Sequence, residues 1–304
     1  MLYYIHVSAA AESKNMDCDF LIERKLKKES EDLHRRTADS QVVLNRLLQS
    51  YRSVFPHYTD HSILHSLDLL YYSNLLIGPD QIDSVNVDEC YVIVMACLLH
   101  DVGMGVREND FRNFMAELEG PDFLKSRAVM EFPEIIREYH HELAGKFIIK
   151  YKDLFDIPSD EHLFAIVQAS RGHRKTDLYD EKEYPDIKLE NGNVIHTAYI
   201  AALIRLSDEL DVASDRNPEI IYDINKIENA YSRICFEIAR LIKSVEFADT
   251  DIILHETEVP DVFAPYVQEM YEKVRSNLIY CRKLCEDRTP FRIRQNNVIL
   301  KPLE

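Results

Sequence analysis

The stretch MACLLHDVGMG, residues 95–105, is apolar from Met95 to Leu99, stops on adjacent His100 and Asp101, and then turns through Gly103 and Gly105. A segment apolar enough to be buried thus delivers an imidazole and a carboxylate to its end. Burying such a pair without partners costs several kcal/mol by order of magnitude, so a metal, a hydrogen-bond network or water at a cleft has to hold it. Upstream, ECYVIVMACLLHD is apolar almost all round, which places this helix in the middle of a bundle, with Asp88 as its expected cap.

The rest of the chain supports a mainly helical fold. Only 7 of the 304 residues are Gly, all between Gly78 and Gly192, and the long Leu/Ile/Glu/Lys-rich stretches follow helical spacing. Residues 19–53 predict two helices with a break near Thr37–Ser40, and Thr59 or Asp60 is placed to cap a new helix after Pro56. EIIREYHHELAGKFIIKYKDLF, EHLFAIVQASRGH and HTAYIAALIRLSDELDVAS are further helices, the last preceded by an acidic loop, Asp177 to Gly192. Beyond Pro218 the texture changes. A helix over 224–243, a hairpin turning around Ala248–Thr250, a helix from Val262 to about Asp287 and a final strand in FRIRQNNVILKP predict a small α+β extension. The expected organisation is a helical lead-in (1–50), a helical core (51–216) and the C-terminal extension (217–304).

Charge narrows the partners. A net charge of −17, from 36 basic and 53 acidic residues, disfavours duplex nucleic acid, whose phosphates want a basic face. A small anionic substrate remains compatible where cations are concentrated. Six cysteines without a CxxC pair read as reduced thiols. The N-terminus lacks a basic leader, and no apolar run reaches spanning length, so the expected location is cytoplasmic and away from membranes.

Of twelve histidines, eight fall from His57 to His173. His61 and His65 share one helix face, His100 and Asp101 close the central helix, His140 and His141 lie mid-helix, His173 follows Gly172, and Asp208 ends the apolar AALIRLS. One such histidine would be an ordinary hydrogen-bonded core imidazole. Several on core helices, with carboxylates, form a ligand set suited to a divalent transition metal, and Asp101 has an oxygen for each of two ions.

The order His65, His100–Asp101, His141, His173, Asp208 resembles the HD-domain metal-dependent phosphohydrolases, over about residues 51–216. YTDHSILHS, LLHDVGMG, HHELAG and LIRLSDELD look most like the bacterial HD-type domains associated with conflict systems. The resemblance implies an HD-like helical bundle in which His65, His100, Asp101 and Asp208 hold a first ion. His141 and His173 would hold a second, with Asp101 bridging. It implies one or two divalent ions (Mn, Fe, Ni, Co, Mg or Zn), with His100 and Asp101 at the heart of catalysis. Two-metal members carry one more ligand a turn before the first histidine, here His61, which a solvent-facing role would equally explain. His140 is the alternative to His141, and His141 is preferred because it shares a small-residue stripe with Ala144, Gly145 and Ile148. Asp211 reads as a supporting or surface group. No Gly-Tyr-Pro follows His173 and no Glu-Asp pair follows the doublet, so neither cyclic-di-GMP nor alarmone hydrolysis carries over.

Such a centre implies metal-activated water attacking phosphorus in a nucleotide or related phosphate ester. RGHRK sets Arg171, Arg174 and Lys175 around His173, and Arg205 and Arg216 flank the other ligands, as candidate phosphate-binding cations. The rival readings are a di-iron oxygenase using the same ligands and a nucleotide-sensing or adaptor module of a defence-type system. The C-terminal extension is expected to serve a homo-oligomer or a protein partner through its strand edges.

Overall fold

In a computed structural model, which describes residues 20–48, 62–127, 132–174, 176–213 and 230–303, the helix that ends on His100 is Val87–Leu99. Every residue in it from Asp88 to Leu99 is buried, as its all-round apolar sequence requires. Its cap is Asn86, not Asp88. The Asn86 side chain accepts from the Glu89 N–H (3.0 Å), and the Glu89 carboxylate accepts from the Asn86 N–H (3.0 Å), a reciprocal box that satisfies two otherwise orphaned donors. Asp88 is thereby free to pair elsewhere.

In chain order the helices are α1 (Leu21–Glu29), α2 (Glu31–Leu48), α3 (Ile63–Ile77), α4 (Val87–Leu99), α5 (Glu108–Glu119), α6 (Phe123–Ser126), α7 (Phe132–Lys150), α8 (Asp160–Arg171), α9 (Thr197–Leu210), α10 (Ala230–Leu241) and α11 (Ala264–Arg288). The break between α1 and α2 falls at Ser30 rather than at Thr37–Ser40. Ser30 Oγ accepts from the Leu33 N–H (3.3 Å), whereas Thr37 returns its hydroxyl to the His34 carbonyl (2.7 Å) and stays inside the helix. Ser62 caps α3, accepting from the Leu64 N–H (3.2 Å); Thr59 and Asp60 lie outside the described residues. The helices α1, α2, α3 and α8 pack against α4, while α9 lies against α3 and α8. Among the described residues no single helix is long and apolar enough to cross a membrane.

Two small sheets complete the chain. The acidic loop closes in an antiparallel pair, β1 (Asp186–Lys188) and β2 (Val194–His196), turned at Gly192, whose φ of 90° suits a residue without Cβ. The hairpin expected around Ala248–Thr250 is β3 (Ile242–Ala248) and β4 (Asp251–Glu256). A parallel strand, β5 (Asn297–Pro302), then lies beside β4, pairing Ile252 with Val298 and Leu254 with Leu300. The crossover between these parallel strands is α11. This helix does not stay with the sheet: Val274, Leu278, Cys281, Leu284 and Cys285 are buried in the same core as α9, so the C-terminal region contributes one wall of the main bundle.

Candidate metal centre

His100 and Asp101 emerge where α4 gives way to a 3-10 turn, Val102–Gly105, and that turn presses onto α7. The approach is closest at Gly103, where a Cβ would sit 2.1 Å from the His140 carbonyl oxygen and 2.5 Å from the Ala144 nitrogen. Only glycine fits, and the contact brings His140 to Asp101. Gly172 plays the same part for His173, since a Cβ there would meet that of Ala201 on α9 at 2.6 Å. His65 comes from the first turn of α3 and Asp208 from the last turn of α9.

Four imidazoles then converge, each with its outer nitrogen tied. The Nδ1 atoms of His100, His140 and His173 donate to the carbonyls three residues back: Cys97 (2.9 Å), Arg137 (2.7 Å) and Ser170 (2.5 Å). His65 Nδ1 meets Asp211 Oδ2 at 2.5 Å. A carbonyl or ionised carboxylate only accepts, so the proton of each ring sits on Nδ1 and every Nε2 presents a lone pair inward. Inside, acceptor faces acceptor: His65 Nε2 lies 3.1 Å from His100 Nε2, and His140 Nε2 lies 2.9 Å from His173 Nε2. Two lone pairs at that separation repel unless a cation lies between them. Both separations are short enough for each pair of nitrogens to share one ion at ordinary metal–nitrogen distances of about 2.0–2.1 Å.

The carboxylates complete two groups, His65–His100–Asp208 and Asp101–His140–His173, each able to hold a metal ion. Asp101 touches both. Its Oδ2 lies 3.4 Å from His100 Nε2 and 3.6 Å from His65 Nε2, while its Oδ1 lies 3.5 Å from His140 Nε2 and 3.7 Å from His173 Nε2. Asp208 Oδ1 is 3.4 Å from His65 Nε2. Burial pushes the His140 pKa down to about 4, against the pull of Asp101, and pushes that of His173 well down, so both rings are neutral near pH 7 as ligands must be. Burial works against ionisation of Asp208, but the surrounding His65, His173 and His100 together outweigh it and hold the carboxyl well below its ordinary range.

The geometry sorts the residues expected from sequence. His65, His100, Asp101, His173 and Asp208 are brought together. His141 is not, and His140 stands in the place expected for it. The stripe of His140 and Ala144 faces the Gly103 turn, whereas the stripe of His141 and Gly145, rotated by 100°, faces Arg171 on α8. His141 Nε2 lies 3.8 Å from Glu142. Asp211, read as a supporting or surface group, is buried and orients His65. His61, Lys175 and Arg216 lie outside the described residues.

Among the cations, Arg171 does not point a free fork at the centre. It donates to Glu142 through Nε (2.9 Å) and Nη2 (2.8 Å) and to Glu183 through Nη1 (2.8 Å). Arg205 is likewise committed, to the carbonyls of Gly172, Arg174 and Thr176. Arg174 differs. It is half-buried, its guanidinium makes no hydrogen bond or ion pair among the described residues, and its charge is felt at His140 and Glu209.

A family model described as HD-CE matches residues 55–287, and the chain belongs to that family; the matched span contains every ligand candidate above and runs on through most of α11. No curated protein and no solved structure matches the chain.

Proposed function

We propose that this HD-CE member is a metal-dependent phosphohydrolase or phosphodiesterase that acts on a nucleotide or related phosphate ester. The observation that carries the reading is the set of inward lone pairs: four Nε2 atoms fixed by their outer hydrogen bonds, with Asp101 offering one oxygen to each group. His65, His100 and Asp208 would hold one divalent ion and His140 and His173 a second, with Asp101 shared between them. Bound ions supply an activated water at neutral pH and offset charge on the phosphoryl oxygens. Asp211 keeps His65 in the tautomer that can ligate, and the three i−3 carbonyls do the same for the other rings. Arg174 is the group that would anchor a substrate phosphate, because among the described residues its donors are uncommitted where those of Arg171 and Arg205 are not. The setting that suits this activity is cytoplasmic, with a small anion as substrate.

The test is to strip the full-length protein with chelator, reload it with Mn2+, Mg2+, Fe2+ or Ni2+, and incubate each form with a panel of nucleotides. Release of inorganic phosphate, of a nucleoside monophosphate, or of a nucleoside with inorganic triphosphate identifies the bond cleaved. Oxygen consumption by the Fe2+ form with no phosphorus product would replace this reading by the oxygenase one.

A further inference from the structure

We infer that Arg205 is a positioning residue for the second metal group, acting through the backbone that carries His173 and Arg174. This rests on the metal-dependent reading above. Arg205 is buried on α9, and its Nε donates to the Gly172 carbonyl (2.7 Å) while its Nη2 donates to the carbonyls of Arg174 (2.5 Å) and Thr176 (2.7 Å) and to Thr176 Oγ1 (3.2 Å). Residues 172 and 174 flank His173, so one guanidinium holds the backbone just before and just after that ligand. The Ser170 carbonyl fixes its ring. The Gly172–Ala201 contact, one turn before Arg205 on the same helix, sets the distance at which the fork can reach.

No carboxylate lies within ion-pair distance of Arg205 among the described residues. A buried guanidinium met only by neutral acceptors is a costly arrangement, and here the hydrogen bonds of its Nε and Nη2 all fall on one short segment. The remaining face of the guanidinium lies over the Tyr280 ring of α11, 5.3 Å from its centre. Tyr280 in turn holds the same segment: its hydroxyl accepts from the Leu178 N–H (2.9 Å) and donates to Asp177 (3.1 Å). Arg288, further along α11, donates to the carbonyls of Leu178 (2.6 Å) and Tyr184 (3.0 Å). Asp208 follows Arg205 by three residues. One helix therefore delivers a ligand to the first group and, a turn earlier, the clamp for the second, while the C-terminal helix braces that clamp.

A lysine cannot reproduce the fork, because it offers one compact charge in place of several directed donors. The experiment is a calorimetric Mn2+ titration of the chelator-treated full chain, paired with amide hydrogen exchange. Wild type is expected to show two classes of site. Arg205→Lys should leave the first intact, weaken the second by about tenfold or more, and speed exchange in 172–178 but not in 62–77. Tyr280→Leu, which keeps the guanidinium, should move both readouts in the same direction by about threefold, and it decides the question if Arg205→Lys does not fold. Unchanged second-site affinity, or faster exchange in both segments alike, would overturn the positioning role while leaving the metal-dependent reading in place. A wild-type protein that takes up no Mn2+ would overturn that reading and this inference with it.

Discussion

The two ends of α4 carry the same residue types at the same depth and do opposite things. At its start, Asp88 accepts from His162 Nε2 (2.9 Å), Asn191 (2.9 Å) and Asn193 (2.7 Å), and His162 Nδ1 meets Ser159 Oγ (2.9 Å). Glu89 beside it binds His196 Nδ1 (2.7 Å). In that cluster donors meet acceptors, and it fastens α8 and the β1–β2 pair onto the helix. At the end of α4 the outer nitrogens are satisfied just as well, yet the inner ones face each other as lone pairs. Buried histidine and carboxylate do not by themselves mark a reactive site. A mismatch of acceptor against acceptor points instead to a bound cation, because a folded core tolerates it only when a cation resolves it.

Exchanging one carboxylate at each end should separate the two roles. Asp101→Ala removes the carboxylate that offers one oxygen to each group, so metal content and hydrolysis should fall to background while the circular dichroism spectrum stays helical. Full retention of metal would break the contrast. Asp88→Ala should do the reverse. It leaves His162, Asn191 and Asn193 without their common acceptor and should cost about 3–5 kcal/mol in denaturant unfolding, with Mn2+ bound per folded chain unchanged.

A sharper version compares adjacent residues on α7. His140→Ala should weaken the second ion by about ten- to a hundredfold in a Mn2+ titration, whereas His141→Ala should leave both ions bound. Arg174→Ala should raise KM for the anionic substrate by about tenfold at constant metal content. Arg171→Ala should act through stability instead, because it releases Glu142 and Glu183.

The smallest effect expected is at the start of α4. Burial alone would lower the His196 pKa, but the hydrogen bond and charge of Glu89 raise it above the ordinary 6.5. A raised pKa makes the folded state the stronger proton binder, so the contribution is complete below about pH 6.5 and is lost as pH rises through the raised value. Between pH 6 and 9 the wild-type Tm should fall by about 1–2 °C more than that of His196→Gln. An equal fall in both would show that Glu89 gains nothing from the protonated ring.

The sequence by itself determined the helical class, the central place of α4, the hairpin at Ala248–Thr250, and five members of the cluster, His65, His100, Asp101, His173 and Asp208. Those depend on local periodicity and on residue chemistry, and both can be read along one chain. Tertiary structure alone decided between His140 and His141, since both stripes end in small residues, Ala144 and Gly145, and only the approach of Gly103 picks one. It alone separated the three arginines, because a cation's role is set by partners distant in sequence. Arg171 finds Glu142 and Glu183, Arg205 finds carbonyls some thirty residues earlier, and Arg174 finds neither acceptor nor counter-ion among the described residues. Likewise α11 reads from sequence as part of an extension, and only the burial of its Cys281 face against α9 makes it a wall of the core that carries the candidate metal centre.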